Sequence, residues 1–123
     1  MTSAVIAGVH AILFAPDPEA ARAFLREVLA LDSVDSGGGW LIFALPPAEL
    51  ACHPTETTDG HCELYLMCKD IEAARAALEE RGVEFVQPIT DQGWGLLTRF
   101  KLPGYGEIGL YEPRHPSPLQ EFS

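Results

Sequence analysis

Basic residues are scarce in this sequence. Only 8 Lys and Arg stand against 18 Asp and Glu over 123 residues, so the formal net charge at pH 7 is −10. The few basic side chains are scattered, and they form no stripe of the kind that neutralises a nucleic-acid backbone. The composition therefore argues against nucleic acid as a partner. A hydrophobic content of 47% with 21% charged residues also argues against a disordered chain and suffices for one domain, residues 1–123.

Long hydrophobic runs are also missing. The longest apolar stretch, residues 4–15, contains His10, ends before Pro16 and has no Lys or Arg ahead of it. It is too short to span a membrane, and it lacks the basic start of a signal peptide. We therefore assign this stretch to the core and expect a cytoplasmic protein with no membrane partner.

Cysteine is represented only by Cys52, Cys62 and Cys68. An odd number without a CxxC pair is not typical of a disulfide framework or a zinc site. All three lie in apolar or alternating segments, so we expect reduced side chains that serve as packing residues. The sequence also has no Ser-His-Asp order and no nucleotide-binding fingerprint.

The sequence contains an internal repeat. Segment 17–27 aligns with segment 70–80 without a gap, and the residues are identical at eight of eleven positions. The match continues past these segments, where Trp40 corresponds to Trp94. Such a repeat predicts two copies of one supersecondary unit that share a core.

Each repeat is predicted to contain a strand, a helix and three short strands. The helices begin after Asp17 and Asp70, whose carboxylates can accept hydrogen bonds from the free N–H groups of the first turn. Pro18 suits the first helical position, and Gly82 ends the second helix. Apolar and alternating segments predict strands at 10–14, 40–45, 48–53, 61–68, 94–101 and 106–111, with weaker ones at 33–35 and 84–86.

These elements predict an α+β fold. Two tandem βαβββ modules, about 4–54 and 61–113, form a mixed eight-stranded sheet around a cleft, with the two helices packed outside and residues 114–123 as a tail. Each module is too small to bury its own sheet face, so the two should pack about a pseudo-twofold axis. The modules can pair within one chain or between two chains, and the sequence leaves both arrangements open.

Strand alternation identifies the side chains that face this cleft. In segment 61–68 the cysteines face the helix, and the cleft face carries His61, Glu63, Tyr65 and Met67. The same parity adds His10, Phe14, Glu49, His53, Glu107 and Tyr111. Glu49, Glu63 and Glu107 bring three carboxylates to one concave surface, where we expect raised pKa values unless a cation or a histidine compensates.

The candidate ligand-binding residues are aromatic and polar side chains of this face: Phe14, His53, His61, Tyr65, Met67, Trp94 and Tyr111. Aromatic side chains can form the walls of a site for a flat ligand. For Trp94 and its equivalent Trp40, a core position is the alternative interpretation. Glu49 and Glu107 are the candidate catalytic residues, and for them, as for the histidines, a position on a solvated rim is the alternative.

Three segments carry a resemblance to a known family: His10 followed by Asp17-x-x-x-Ala21, then Leu64–Ala73, and Pro103–Pro113. In this order, and with the duplication, they resemble the vicinal oxygen chelate superfamily, which includes glyoxalase I, bleomycin-resistance proteins, fosfomycin-resistance enzymes and extradiol dioxygenases. The resemblance covers essentially the whole chain and implies the fold predicted above. This fold hosts unrelated chemistries, so the resemblance alone does not give an activity.

The resemblance also implies where a metal ion binds in metal-dependent members. They hold one divalent ion with His or Glu side chains from the first, fourth, fifth and eighth strands, and His10 and Glu63 match the first and third positions. The second position falls on Ala51 and the fourth on Gly109, which offer no ligand atom. A neighbour two residues along a strand lies about 6.6 Å away, too far to coordinate. A metal ion, whether Ni, Zn, Mn or Fe, therefore needs a strand in a different register or a displaced site.

Two functions from different classes are compatible with this pattern. The first is a homodimeric small-molecule-binding protein, similar to bleomycin-resistance proteins, that holds a hydrophobic or aromatic ligand in the cleft. The alternative is a divalent-metal-dependent lyase, isomerase or extradiol-type dioxygenase, in which the metal polarises the substrate and Glu49 or Glu107 moves a proton. The missing metal ligands favour the first function.

Overall fold

The computed structural model of the chain describes residues 10–119, which contain two α-helices and six β-strands. The helices are α1 (Pro18–Glu27) and α2 (Ile71–Glu80). The strands are β1 (Ser33–Asp35), β2 (Leu41–Phe43), β3 (Tyr65–Met67), β4 (Thr90–Asp91), β5 (Gly95–Leu102) and β6 (Gly106–Pro113). Neither helix of this part of the chain is long and apolar enough to cross a membrane. The α+β class that the sequence predicts is confirmed.

Both helices start where the sequence predicts. The Asp17 carboxylate accepts a hydrogen bond of 3.2 Å from the N–H of Ala20, and the Asp70 carboxylate accepts one of 3.1 Å from Ala73. These bonds satisfy N–H groups that have no partner within the helix. After α2 the chain turns at Gly82, whose φ of +87° is readily adopted by glycine.

The second module forms a four-stranded sheet in the order β3-β6-β5-β4. Strand β3 runs parallel to β6, with Tyr65 opposite Gly109, and β5 pairs with β6 in an antiparallel ladder over their full length. One face of this sheet packs on the helices in a core that contains Ala21, Phe24, Ile71, Val83, Phe100, Leu102, Ile108 and Leu110. Because side chains alternate along a strand, the other face carries Tyr65, Gly109 and Tyr111.

The first module is less complete than the sequence predicts. Within residues 10–119 it contributes only the hairpin β1-β2, while segments 10–14 and 48–53 form no strand. Leu13 packs against the core, but Phe14 and Leu50 are 86% and 91% exposed, and no strand among residues 10–119 pairs with either segment. Short extended segments need such partners to be stable. The eight-stranded count is therefore not confirmed, although the two-residue strand β4, which the sequence analysis missed, adds to the second sheet.

The predicted strands of the second module differ from the observed ones mainly at their ends. Strand β3 is shorter than predicted, whereas β6 continues to Pro113. Segment 84–86 pairs with β5 through a single bridge between Phe85 and Phe100, flanked by backbone hydrogen bonds of 2.9 Å. The ends of a strand depend on its hydrogen bonds to neighbouring strands, and the apolar pattern of the sequence does not predict these bonds.

The turn between β5 and β6 connects the second sheet to the first module. Pro103 and Gly104 occupy the central positions of a tight turn closed by a hydrogen bond of 3.0 Å from the N–H of Tyr105 to the carbonyl of Leu102. Gly104 has a φ of +82°, as a type II turn requires. Its carbonyl accepts a hydrogen bond of 2.9 Å from the N–H of Asp17, at the start of α1. A side chain at position 104 has no room, because its Cβ would overlap the carbonyl oxygen of Asp17.

We expect Gly104→Ala to destabilise the protein more than Gly93→Ala does. Gly93 has nearly the same φ, +83°, but nothing lies within 4 Å of a Cβ built there, so its replacement costs only the backbone strain of about 1–2 kcal/mol. Gly104→Ala adds the collision with α1, worth roughly 1–3 kcal/mol more. Urea unfolding of the two variants measures the difference. Equal losses of unfolding free energy in the two variants would show that a side chain at position 104 does not collide with the start of α1.

Candidate functional site

An aromatic cluster lies on the face of the second sheet that points away from the helices. At its centre is Tyr111 of β6, which is only 9% exposed. The ring of Tyr65 contacts it edge to face with centroids 5.8 Å apart, and Trp94 does so at 5.6 Å. The imidazole of His115 stacks on the same ring at 6.2 Å. Such pairs are favourable because the ring edges are positive and the ring faces negative.

Glycines on two neighbouring strands make room for these rings. Gly109 lies opposite Tyr65, and a Cβ at position 109 would overlap the Tyr65 ring. Gly95, at the start of β5, is buried, and a Cβ there would lie 3.3 Å from the ring of Tyr111 and 2.9 Å from the backbone oxygen of Glu112. Because Gly95 and Gly109 have no side chain, the rings of Tyr111 and Tyr65 can lie directly against the backbone of the sheet.

The Glu49 carboxylate closes the cluster from the first module. One of its oxygens accepts a hydrogen bond of 2.6 Å from the Tyr111 hydroxyl, and the other accepts one of 2.7 Å from the Ser117 hydroxyl. His115 Nε2 lies 3.5 Å from the first oxygen. The polar contacts of the site thus join three parts of the chain: the loop after β2, strand β6 and the segment that follows it.

These hydrogen bonds influence the ionisation of Glu49 and Tyr111. The bonds from Tyr111 and, secondarily, Ser117 lower the pKa of Glu49 below its ordinary value of 4.5, although burial opposes this. Burial and the nearby Glu49 carboxylate raise the pKa of Tyr111 well above its ordinary value. Glu49 is therefore an anion and Tyr111 a neutral donor at pH 7. The pKa of Glu49 is not raised by crowding, because its carboxylate faces two hydroxyl donors and a histidine, His115, the kind of group that the sequence expectation named as compensating.

A second polar group lies at the start of β6, beside the cluster. The Tyr65 hydroxyl donates a hydrogen bond of 2.9 Å to Glu63, and Arg99 Nε lies 3.5 Å from a carboxylate oxygen of Glu107. These side chains, except Tyr65, border a cavity of about 140 Å³ together with Tyr105. The candidate catalytic residue Glu107 is therefore paired with a cation, and Glu49 lies in the other group.

Four of the seven ligand residues predicted from the sequence lie at the aromatic cluster, and three do not. Tyr65, Trp94 and Tyr111 form the aromatic cluster, and Met67 pairs with Tyr111 across the β3-β6 ladder. The other three predicted ligand residues, Phe14, His53 and His61, are exposed and lie outside the strands. Within residues 10–119, no ring pair and no hydrogen bond joins them to the aromatic cluster. Their role as ligand residues stays a prediction.

Sequence analysis missed His115 and Ser117. Both lie in the segment His115-Pro116-Ser117-Pro118, where the spacing of prolines rules out a helix or central strand and no alternation marks a buried side. The only available signal was the presence of a histidine and a hydroxyl so soon after a predicted cleft strand. The tail assignment concealed a segment that packs on Tyr111.

The residues at the implied metal positions do not fit a metal ion. His10 is exposed and outside any strand, Ala51 and Gly109 carry no ligand atom, and Glu63 already accepts the hydrogen bond of Tyr65. Across residues 10–119, no three His, Cys, Asp or Glu side chains come together in a group that could hold a metal ion. We therefore derive no step that uses a metal.

The half-buried cysteine Cys68 is unsuited to catalysis by a thiolate. Cys68 is half-buried, and burial raises the pKa of its thiol to about 12. The packing role expected for Cys52 and Cys62 is wrong, because both are exposed in segments that lie outside the sheet.

The second sheet thus packs on the helices with one face and carries the aromatic cluster on the other. A family model described as the Glyoxalase/Bleomycin resistance protein/Dioxygenase superfamily matches residues 8–113. The chain belongs to this superfamily, as its sequence resemblance implies. No match was found among curated proteins.

Solved structures agree with this assignment. TnmS3, an antibiotic binding protein from Streptomyces sp. CB03234, is 28% identical with a TM-score of 0.63, over 90% of this chain and 99% of that chain. A superfamily member from Sphaerobacter thermophilus is also 28% identical, with a TM-score of 0.59 over 88% and 98% of the two chains. Lactoylglutathione lyase from Agrobacterium tumefaciens, at 16% identity and a TM-score of 0.62 over 85% and 92%, shares the fold.

We expect Tyr111→Phe to lower stability in a pH-dependent manner. Folding lowers the pKa of Glu49, so the ionised carboxylate adds stability above pH 4.5 that is lost as the pH falls through the folded-state value. Removing the Tyr111 hydroxyl should cost roughly 1.5–3 kcal/mol of unfolding free energy at pH 7. This difference from the wild type should narrow below pH 4.5 in urea unfolding experiments.

Tyr105→Phe is the matched control, because the Tyr105 hydroxyl has no hydrogen-bond partner within residues 10–119. It should change stability by less than about 0.5 kcal/mol at every pH. A Tyr111→Phe difference that stays constant between pH 3 and pH 7 would contradict the assignment of Glu49 as the ionised partner.

Proposed function

We propose that this protein binds a small hydrophobic or aromatic molecule at the aromatic cluster, without a metal ion. The observation that carries the proposal is the edge-to-face series Tyr65, Tyr111, Trp94 on the sheet face opposite the core. Trp94 is 43% exposed although it contacts the buried Tyr111, so one of its faces is available to a flat ligand. Ligand sites of this kind combine apolar walls with a few fixed polar groups, and Glu49 is such a group here.

The relatives support the same class of function. TnmS3 is described as an antibiotic binding protein, and its similarity extends over 90% of this chain. An antibiotic-like natural product is therefore the ligand class that we propose. The three cysteines are free thiols, which is compatible with the reducing cytoplasm as the place where binding occurs.

The alternative, a metal-dependent lyase or dioxygenase, is disfavoured by the residues at the implied metal positions. It requires His10 and Glu63 to meet two further ligands at positions that hold alanine and glycine. A proton-transfer role for Glu107 would also require its release from Arg99. The binding function needs none of these changes, and the aromatic cluster is already assembled.

The two tryptophans of the repeat provide a matched test. Acridone, a neutral planar tricycle, serves as the probe, and its fluorescence anisotropy reports binding. Trp94→Ala should weaken acridone binding roughly 3- to 10-fold, the loss expected for one aromatic contact. In fractions matched to the wild type in oligomeric mass, Trp40→Ala should leave the affinity unchanged, because Trp40 is exposed beside Arg22 and outside the aromatic cluster. Equal losses in both variants, or no binding to the wild type, would contradict a site at the cluster.

We also propose that a second copy of the chain covers the first module. The large exposed apolar side chains are concentrated there, since all but Trp94 lie between residues 12 and 50: Ile12, Phe14, Val34, Trp40, Ile42, Leu45 and Leu50. Soluble monomers rarely expose so much apolar surface in one region. Among residues 10–119, no strand pairs with the outer edge of β3, and none pairs with the apolar segment 10–14. A second copy can satisfy both.

Light scattering after size-exclusion chromatography tests this dimer. The wild type should have twice the chain mass of 13.4 kDa. Ile42→Asp places a charge in the exposed apolar face of β2 and should shift the protein toward the monomer, with at least tenfold weaker association. Ala76→Asp, on the exposed side of α2, should leave the mass unchanged. A wild type that is monomeric at high micromolar concentration would exclude the dimer.

A further inference from the structure

Gly109 lies in the middle of β6 although its backbone conformation does not require glycine. It has no positive φ, unlike the turn glycines on either side of the β5-β6 hairpin loop, Gly104 and Gly106. A glycine inside a strand lowers stability by about 0.5–1 kcal/mol compared with alanine, so its presence calls for a reason. The close approach of the Tyr65 ring supplies one, because a Cβ at position 109 would overlap two carbons of that ring.

The Tyr65 ring is held at three points. Its Cδ1 and Cε1 atoms lie against Gly109, which is directly opposite in the β3-β6 ladder. Its hydroxyl donates a hydrogen bond of 2.9 Å to Glu63, two residues earlier. It also packs on Tyr111 at an interplanar angle of 85°. A ring with these three contacts has little rotamer freedom left to lose on binding.

We propose that Tyr65 is a specificity-determining residue of the cleft and that Gly109 and Glu63 are its positioning residues. This inference rests on the proposed binding function and adds which ring selects the ligand. Position 109 cannot hold a longer side chain while Tyr65 keeps this orientation, so the glycine and the tyrosine depend on each other.

Two of the implied metal positions, Glu63 just before β3 and Gly109 in β6, contact this ring. Glu63 accepts the hydrogen bond of the tyrosine, and Gly109 is the surface on which the ring lies. Both positions therefore serve one aromatic side chain. The cleft selects a ligand that offers a flat apolar face to Tyr65, and a ligand that offers only a pair of oxygen atoms gains nothing from this ring.

A double-mutant cycle tests the dependence of the two residues. Gly109→Ala should displace the ring, weaken acridone binding roughly 3- to 10-fold and lower the urea midpoint by about 1 M. Tyr65→Ala should weaken binding to a similar extent. In the double variant, Gly109→Ala should have no further effect on binding and should no longer lower the urea midpoint, because the ring it displaces is absent.

Two conservative variants separate the ring from its hydroxyl. Tyr65→Phe and Glu63→Ala both remove the hydrogen bond that orients the ring but leave the ring on Gly109, so each should weaken acridone binding, by no more than about threefold. A Tyr65→Phe variant as weak as Tyr65→Ala would overturn the assignment of the ring as the selecting group. Additive effects of Gly109→Ala and Tyr65→Ala on the urea midpoint would overturn the positioning role of Gly109. That midpoint is measured without acridone, so it decides the positioning question even if the wild type fails to bind the probe and the proposed function falls.

Discussion

The antiparallel ladder between β5 and β6 is the pairing on which the described structure depends. It joins Gly95–Leu102 to Gly106–Pro113 along their whole length and so fixes which side chains of β6 face the helices. Ile108 and Leu110 lie on the core side, and Gly109 and Tyr111 lie on the cleft side. A shift of one residue would exchange these two sets, moving the aromatic cluster into the helices and the core into solvent.

The negative charges of Glu107 and Glu49 are stabilised in different ways. Glu107 is paired with Arg99, which is one of only 8 basic residues in a chain of net charge −10. Glu49 instead receives neutral donors, the hydroxyls of Tyr111 and Ser117. Hydrogen bonds to a carboxylate stabilise its charge without a counter-ion. An acidic protein can in this way keep an anion beside aromatic rings.

The sequence predicted both helices, the second module and three rings of the cluster, because each rests on a local signal. Asp17 and Asp70 mark helix starts, and alternation places Tyr65 and Tyr111 on one face. It did not predict the lack of strands in segments 10–14 and 48–53, since a strand depends on its partner. The packing of the tail on Glu49 was also missed, because contacts between distant loops leave no periodic trace.

The turn at Gly104 has a consequence for folding cooperativity. Its hydrogen bond to Asp17 fastens the first helix to the hairpin of the other module, and Phe24 of that helix packs on Phe100. Helix α1 therefore belongs energetically to the second sheet, while the hairpin β1-β2, with its exposed Val34 and Ile42, has few contacts beyond itself. The duplicated halves of the sequence are thus not the cooperative units of the protein. One unit combines a helix from each half, and within a single chain the hairpin β1-β2 lies largely outside it.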